Sequence, residues 1–162
     1  MNIMIGEREK HFMSIAINLS REGMEHGDGG PFGAIVVRGD EIVGRGWNKV
    51  LCTNDPTAHA EVSAIRDACQ RLGTFQLHDC EIYTSCEPCP MCLGAIYWAR
   101  PLRVYFANTK EDAASIDFDD SFIYTEIGIA HADKRIPFIA FPQEAALKVF
   151  QDWQAKGDKT LY

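Results

Sequence analysis

Between Glu7 and Glu25, small or apolar side chains return every three or four positions, at Phe12, Ile15, Ala16, Leu19 and Gly23. That spacing predicts an amphipathic helix, and the breaker cluster Gly27-Asp28-Gly29-Gly30-Pro31 ends it. The apolar run Ala34-Ile35-Val36-Val37, the turn Arg38-Gly39-Asp40 and the stretch Glu41 to Trp47 then predict a β-hairpin. Asn54-Asp55-Pro56-Thr57 offers capping side chains and a proline suited to a first helical turn, so a helix is expected over Ala58 to Leu72, stopped by Gly73. Glu81 to Thr84 reads as a short strand. Pro88, Pro90 and Pro101 bracket a helix from about Cys89 to Ala99, and Arg103 to Ala107 reads as a further strand. The acidic stretch Asn108 to Thr125 is expected to be loop plus a short helix, Ile136 to Phe141 a last strand, and Gln143 to Lys156 a helix closed by Gly157. Helices alternating with strands, without repeats or linkers, predict one α/β layered domain spanning 1–162.

The 162 residues are enough for a sizeable core without disulfide staples. Sixteen Lys and Arg stand against 23 Asp and Glu, a formal charge of −7, which disfavours a partner bound through many phosphates such as a nucleic acid. No apolar run reaches the length of a membrane-spanning helix, and Glu7, Arg8, Glu9 and Lys10 fall where a signal peptide needs an apolar core. A cytoplasmic protein with no membrane partner is therefore expected. Six cysteines in a chain of this length, with no export signal ahead of them, are expected to be reduced.

The candidate chemistry lies in two short segments, His59-Ala60-Glu61 and Pro88-Cys89-Pro90-Met91-Cys92. Cys89 and Cys92, three apart on a first helical turn, can grip one ion on a shared face. One imidazole and two thiolates make three protein ligands, the count of a catalytic zinc site, whereas structural sites close with four. The positive end of a helix dipole favours thiolate character at Cys89. In mid-helix His59 and Glu61 would point about 200° apart, but near a fraying helix start both can converge on one centre. Glu61 is then expected to move protons beside the metal without ligating it. Cys86, three before Cys89, is weighed as a fourth ligand and set aside, because Pro88 intervenes and a fourth ligand would displace water.

His-x-Glu followed 30 residues after His59 by Pro-Cys-x-x-Cys matches the zinc-deaminase pattern. With these residues in view the chain resembles the cytidine-deaminase-fold family, and within it the bacterial guanine deaminases. The resemblance runs through Gly29 to Ala34, Asn54 to Val62, Tyr83 to Pro101, the block Phe118-Asp119-Asp120-Ser121-Phe122-Ile123-Tyr124 and the terminal Tyr162. The zinc motifs point to the superfamily, and the Phe-Asp-Asp-Ser-Phe block with the final tyrosine points to the guanine branch. The resemblance implies a three-layer α/β/α fold with a mixed five-stranded sheet. It also implies a homodimer in which the C-terminal segment, about 143–162, is domain-swapped onto the partner's active site.

Carried over residue by residue, it implies one zinc ion per subunit on His59, Cys89 and Cys92, with Glu61 as proton shuttle. Phe32, Asn48, the backbone at Ala60, Asp120 and Tyr162 would surround a small purine, Asp120 also serving as a second, catalytic proton carrier. Asn48 offers amide donor and acceptor to a base edge, though Asn after a strand also forms turns. Phe32 can stack on a purine or fill core. Trp98 and Trp153 read as packing or dimer anchors. The implied reaction is hydrolytic deamination of guanine to xanthine and ammonia. Competing readings are a tRNA adenosine deaminase, a deaminase of another base, nucleoside or aminotriazine, and a zinc-stabilised binding module without turnover.

Overall fold

The computed structural model describes residues 5–162, which divide into two compact units meeting at Asp120 and Ser121. In the first, helix α1 (Glu7–Glu25) leads into the hairpin of β1 (Gly33–Arg38) and β2 (Glu41–Trp47). A four-residue helix α2 (Val50–Thr53), helix α3 (Ala60–Leu72), strand β3 (Cys80–Cys86), helix α4 (Pro90–Ala99), strand β4 (Arg103–Asn108) and helix α5 (Lys110–Ala114) follow. The sheet order is β2-β1-β3-β4; β1 pairs antiparallel with both neighbours, and β3 runs parallel to β4. α4 lies between β3 and β4 in sequence and supplies the crossover that a parallel pair requires.

β1 and β3 are central, and their side chains alternate between two cores. Ile35, Val37 and Tyr83 pack with Phe12 and Ala16 of α1, while Ala34, Val36 and Ile82 pack with Ala60, Ala64 and Ala68 of α3 and with Ile96 and Ala99 of α4. Burial on both faces explains why β1 reads as a continuous apolar run. On β2, Val43 joins the core beside α3, while Gly44 and Gly46 place no side chain against the helix. A Cβ at Gly44 would stand 2.5 Å from Ala64 O, and one at Gly46 would stand 2.2 Å from Ala60 O. These two glycines let α3 lie almost against the strand, and Ala60, Ala64 and Ala68 complete the close approach.

The second unit contains α6 (Ser121–Gly128), a 3₁₀ turn over His131–Asp133 and α7 (Glu144–Ala155). Here the expected fifth strand fails. Ile136 to Phe141 forms no ladder among the described residues, and the sheet has four strands. Pro137 removes a donor inside the run and Pro142 limits it, while Ile139 is 86% exposed and Phe141 83%. Apolar pattern alone promised burial that this chain does not supply. The acidic stretch after β4 holds two helices where one was expected: α5, whose Thr109 Oγ1 accepts from Asp112 N while Thr109 N donates to the Asp112 carboxylate, and α6. Asp55 caps a turn by accepting from Thr57 N and Oγ1, and His59 is the N-cap of α3. No helix among the described residues is long and apolar enough to cross a membrane.

Candidate active site

α3 and α4 both begin at the end of the sheet where β3 finishes, and the residue before each is a candidate ligand. His59 (φ −70°, ψ 160°) and Cys89 (φ −64°, ψ 167°) are extended N-cap residues, each followed by the helix it caps. Pro90 then supplies the preorganised φ of a first helical residue. The N-cap position removes the angular difficulty between His59 and Glu61. Only Glu61 obeys helical geometry, so the two side chains are free to converge.

His59 Nδ1 lies 3.5 Å from Cys89 Sγ and 3.6 Å from Cys92 Sγ, and the three ligand atoms fall within 4.8 Å of one another. Zinc bonds of about 2.05 Å to nitrogen and about 2.3 Å to sulfur, opened to the tetrahedral angle, require about 3.6 Å between those atoms. The donor set and its spacing therefore fit a zinc ion, and His59, Cys89 and Cys92 are positioned to hold one. Cys86 is turned away: its thiol meets the carbonyl of Thr109 at 3.5 Å.

The electrostatics follow from burial and close packing. The hydrogen bond from Cys92 pulls Cys89 down to about 4, with a second contribution from His59, so Cys89 is held as thiolate. The shared proton stays on Cys92, whose thiol is pushed far up, first by that hydrogen bond and then by burial. The Cys89 thiolate raises His59 in turn. Glu61, 6% exposed in the first turn of α3, is raised by desolvation. Asp120 is raised first by burial and then by the negative charge of Cys89.

Phe32 and Asn48 are tied together by a hydrogen bond from Asn48 N to Phe32 O at 2.9 Å. Asn48, 4% exposed, accepts from Val50 N through Oδ1, which leaves its amide hydrogens to donate elsewhere. A Cβ on Gly29 would strike Asn48 Oδ1 at 2.1 Å, so the glycine turn and the asparagine share one space. Phe32 packs edge-on against Phe118, centroids 4.9 Å apart at 85°. Ala60 is buried at the first helical position, where backbone N–H groups lack intrahelical acceptors. Tyr162 belongs to the second unit, where it is exposed.

Three contributors escaped sequence reasoning. Thr84, fully buried on β3, donates to Glu61 Oε1 at 3.3 Å, and Ser85 Oγ accepts from Gly33 N at 3.0 Å beside Phe32. Asp28 accepts from Trp47 Nε1 at 2.7 Å and its carbonyl receives Leu51 N and Cys52 N, bracing the glycine turn. For Thr84 and Ser85 a signal existed: two hydroxyls in succession within a strand that is otherwise core.

Residues 6–108 match the cytidine and deoxycytidylate deaminase zinc-binding region, and the chain belongs to that family. Within it, the chain is 52% identical to the guanine deaminase of Bacillus subtilis (strain 168) over 93% of its own length and 97% of that protein's. The X-ray structure of guanine deaminase from Bacillus subtilis superposes with a TM-score of 0.93, covering 98% of this chain and 99% of that one. A guanine deaminase structure from Nitrosomonas europaea is 31% identical with a TM-score of 0.65, covering 74% of this chain and 68% of that one. The tRNA-specific adenosine deaminase of Agrobacterium fabrum is 41% identical over 66% of this chain and 70% of its own.

Proposed function

We propose that this chain is a zinc-dependent guanine deaminase, converting guanine and water to xanthine and ammonia. The observation that carries the reading is the extent of the likeness. The Bacillus subtilis guanine deaminase matches 93% of the chain, whereas the tRNA-specific adenosine deaminases match 61–67% of it. The formal charge of −7 points the same way, away from a polyanionic substrate.

Zinc held by His59, Cys89 and Cys92 supplies Lewis-acid activation of water at neutral pH. Glu61, raised by burial, takes one proton from the attacking water and gives it to the ring nitrogen beside the amine-bearing carbon. The oxygen adds to that carbon. The remaining hydroxyl proton then passes to the exocyclic amine, with Asp120 as carrier, and ammonia leaves as the C=O of xanthine forms. Phe32 stacks on the purine, Asn48 donates its amide hydrogens to an acceptor on the base, and the Ala60 N–H adds a third contact.

The active form is a homodimer in which the segment 143–162 crosses to the second subunit and brings Tyr162 over its base-binding pocket, each 1–162 chain forming one deaminase domain. What supports this is the apolar surface the single chain leaves open: Tyr97 and Trp98 on α4, Ile139 and Phe141 in the second unit, and Phe150 on α7, a helix without a buried residue. Thiolate ligands and free cysteines suit a reducing compartment, the cytoplasm. The test is to incubate zinc-loaded protein separately with guanine, adenine, cytosine, their nucleosides and transfer RNA, and to follow ammonia. Release from guanine alone supports the reading; release from adenine in transfer RNA, with none from guanine, overturns it.

A further inference from the structure

Strand β3 alternates between the two cores, and Thr84 falls on the face of Ile82, toward α3 and α4. Packing alone asks for a valine there. The β-branched frame of threonine fills the same space, but its hydroxyl is fully shut from water, which is unfavourable unless a partner takes the proton. The partner is the carboxyl of Glu61, reached at Oε1 at 3.3 Å. That bond joins the centre of the sheet to the first turn of α3, 23 residues away in sequence.

A carboxyl that ferries a proton must present one oxygen to the reaction and keep its plane while doing so. Glu61 sits at the end of a flexible side chain, and burial by itself fixes neither the plane nor the oxygen that faces inward. The Thr84 bond engages Oε1 from the sheet side, alongside the bonds that Glu61 makes to its own backbone N–H and to Cys92. We infer that Thr84 is a positioning residue for deamination, holding Glu61 through Oε1 so that the second carboxyl oxygen carries the proton. Among the described residues the hydroxyl's hydrogen bond goes to Glu61, and Thr84 is neither one of the three ligands nor a partner in the bond that joins Phe32 and Asn48. It acts only through Glu61, and so its removal slows turnover and leaves binding intact.

The inference rests on the guanine deaminase reading, and the test separates the two. Thr84→Val and Thr84→Ser are compared with the parent, all zinc-loaded, for kcat and KM on guanine, for zinc content, for melting temperature and for calorimetric affinity for xanthine. Thr84→Val is expected to lose about 10- to 100-fold in kcat. KM and xanthine affinity stay within about twofold, one zinc per chain is kept and the melting temperature does not fall. Thr84→Ser, which keeps the hydroxyl, restores kcat to within about threefold of the parent. The inference is overturned if Thr84→Val turns over within about twofold of the parent, if Thr84→Ser is as slow as Thr84→Val, or if xanthine affinity or zinc content falls along with kcat. A parent inactive on guanine but active on another base refutes the substrate reading alone, and the same ratios measured on that base then decide the role of Thr84.

Discussion

Gly46→Ala tests whether the glycines of β2 set the metal site. The added Cβ would stand 2.2 Å from Ala60 O, 2.4 Å from Ala64 N and 2.9 Å from Ser63 Cβ. Ordinary contact begins at 3.4 Å, so the start of α3 must withdraw by about 1.2 Å, the difference between that limit and the contact with Ala60 O. Ala60 lies between His59 and Glu61, and zinc–ligand distances tolerate only about 0.2 Å. Gly44→Ala supplies the control. Its Cβ meets Ala64 O at 2.5 Å and Ala68 Cβ at 2.7 Å, a turn or more farther along the helix. Each variant overpacks the same interface, with an expected loss of about 1–3 kcal/mol for the metal-free protein. Only Gly46→Ala should also weaken zinc, by about 100-fold, equivalent to about 2.7 kcal/mol of the stability that zinc adds. Urea denaturation with and without zinc, alongside competition with a chelator, reads both quantities. Equal zinc affinity in the two variants, with similar losses of metal-free stability, would refute the reasoning.

Glu61→Gln keeps the shape of the side chain and removes the proton carrier, so turnover should fall at least about 1,000-fold while metal analysis still finds one zinc per chain. Ser85→Ala leaves Gly33 N without its acceptor and loosens the turn beneath Phe32, which should raise KM for guanine several-fold with a smaller change in kcat; steady-state kinetics would show the opposite split if the hydroxyl served the chemistry. Zinc retention should weaken as pH falls, because binding must displace protons from Cys92 and His59, both raised in the metal-free site, whereas Cys89, at about 4, is already thiolate at neutral pH. Dialysis at stepped pH followed by metal analysis would contradict this if zinc content were the same at neutral and mildly acidic pH.

α1 was legible residue for residue, because one amphipathic period runs unbroken between Glu7 and a glycine-rich stop. The hairpin was equally plain, with Gly39 at φ 60° in its turn. α3 and α4 each began one or two residues later than pattern suggested, and the reason is chemical: His59 and Cys89 occupy the extended N-cap positions that aim them at a common point. The His-x-Glu and Pro-Cys-x-x-Cys spacings carried the metal cluster, since three of its groups sit in two short segments. What spacing could not carry was contact across the sheet, such as Thr84 on Glu61 or Ser85 on Gly33, which depends on register between distant strands and helices. The supposed strand Ile136 to Phe141 failed for a related reason. Its apolar residues look like core in sequence, yet in the chain Ile136, Phe138, Ile139 and Phe141 lie exposed, with Pro137 inside the run and Pro142 after it.

Hydrolysis of the exocyclic amine of guanine takes the new oxygen of xanthine from water. Turnover of guanine by zinc-loaded protein in H₂¹⁸O, read by mass spectrometry of the purine together with an ammonia assay, tests it most directly. Xanthine carrying a single ¹⁸O, formed in equal amount with ammonia, is the expected product. Guanine recovered unchanged, or xanthine without the label, would contradict it.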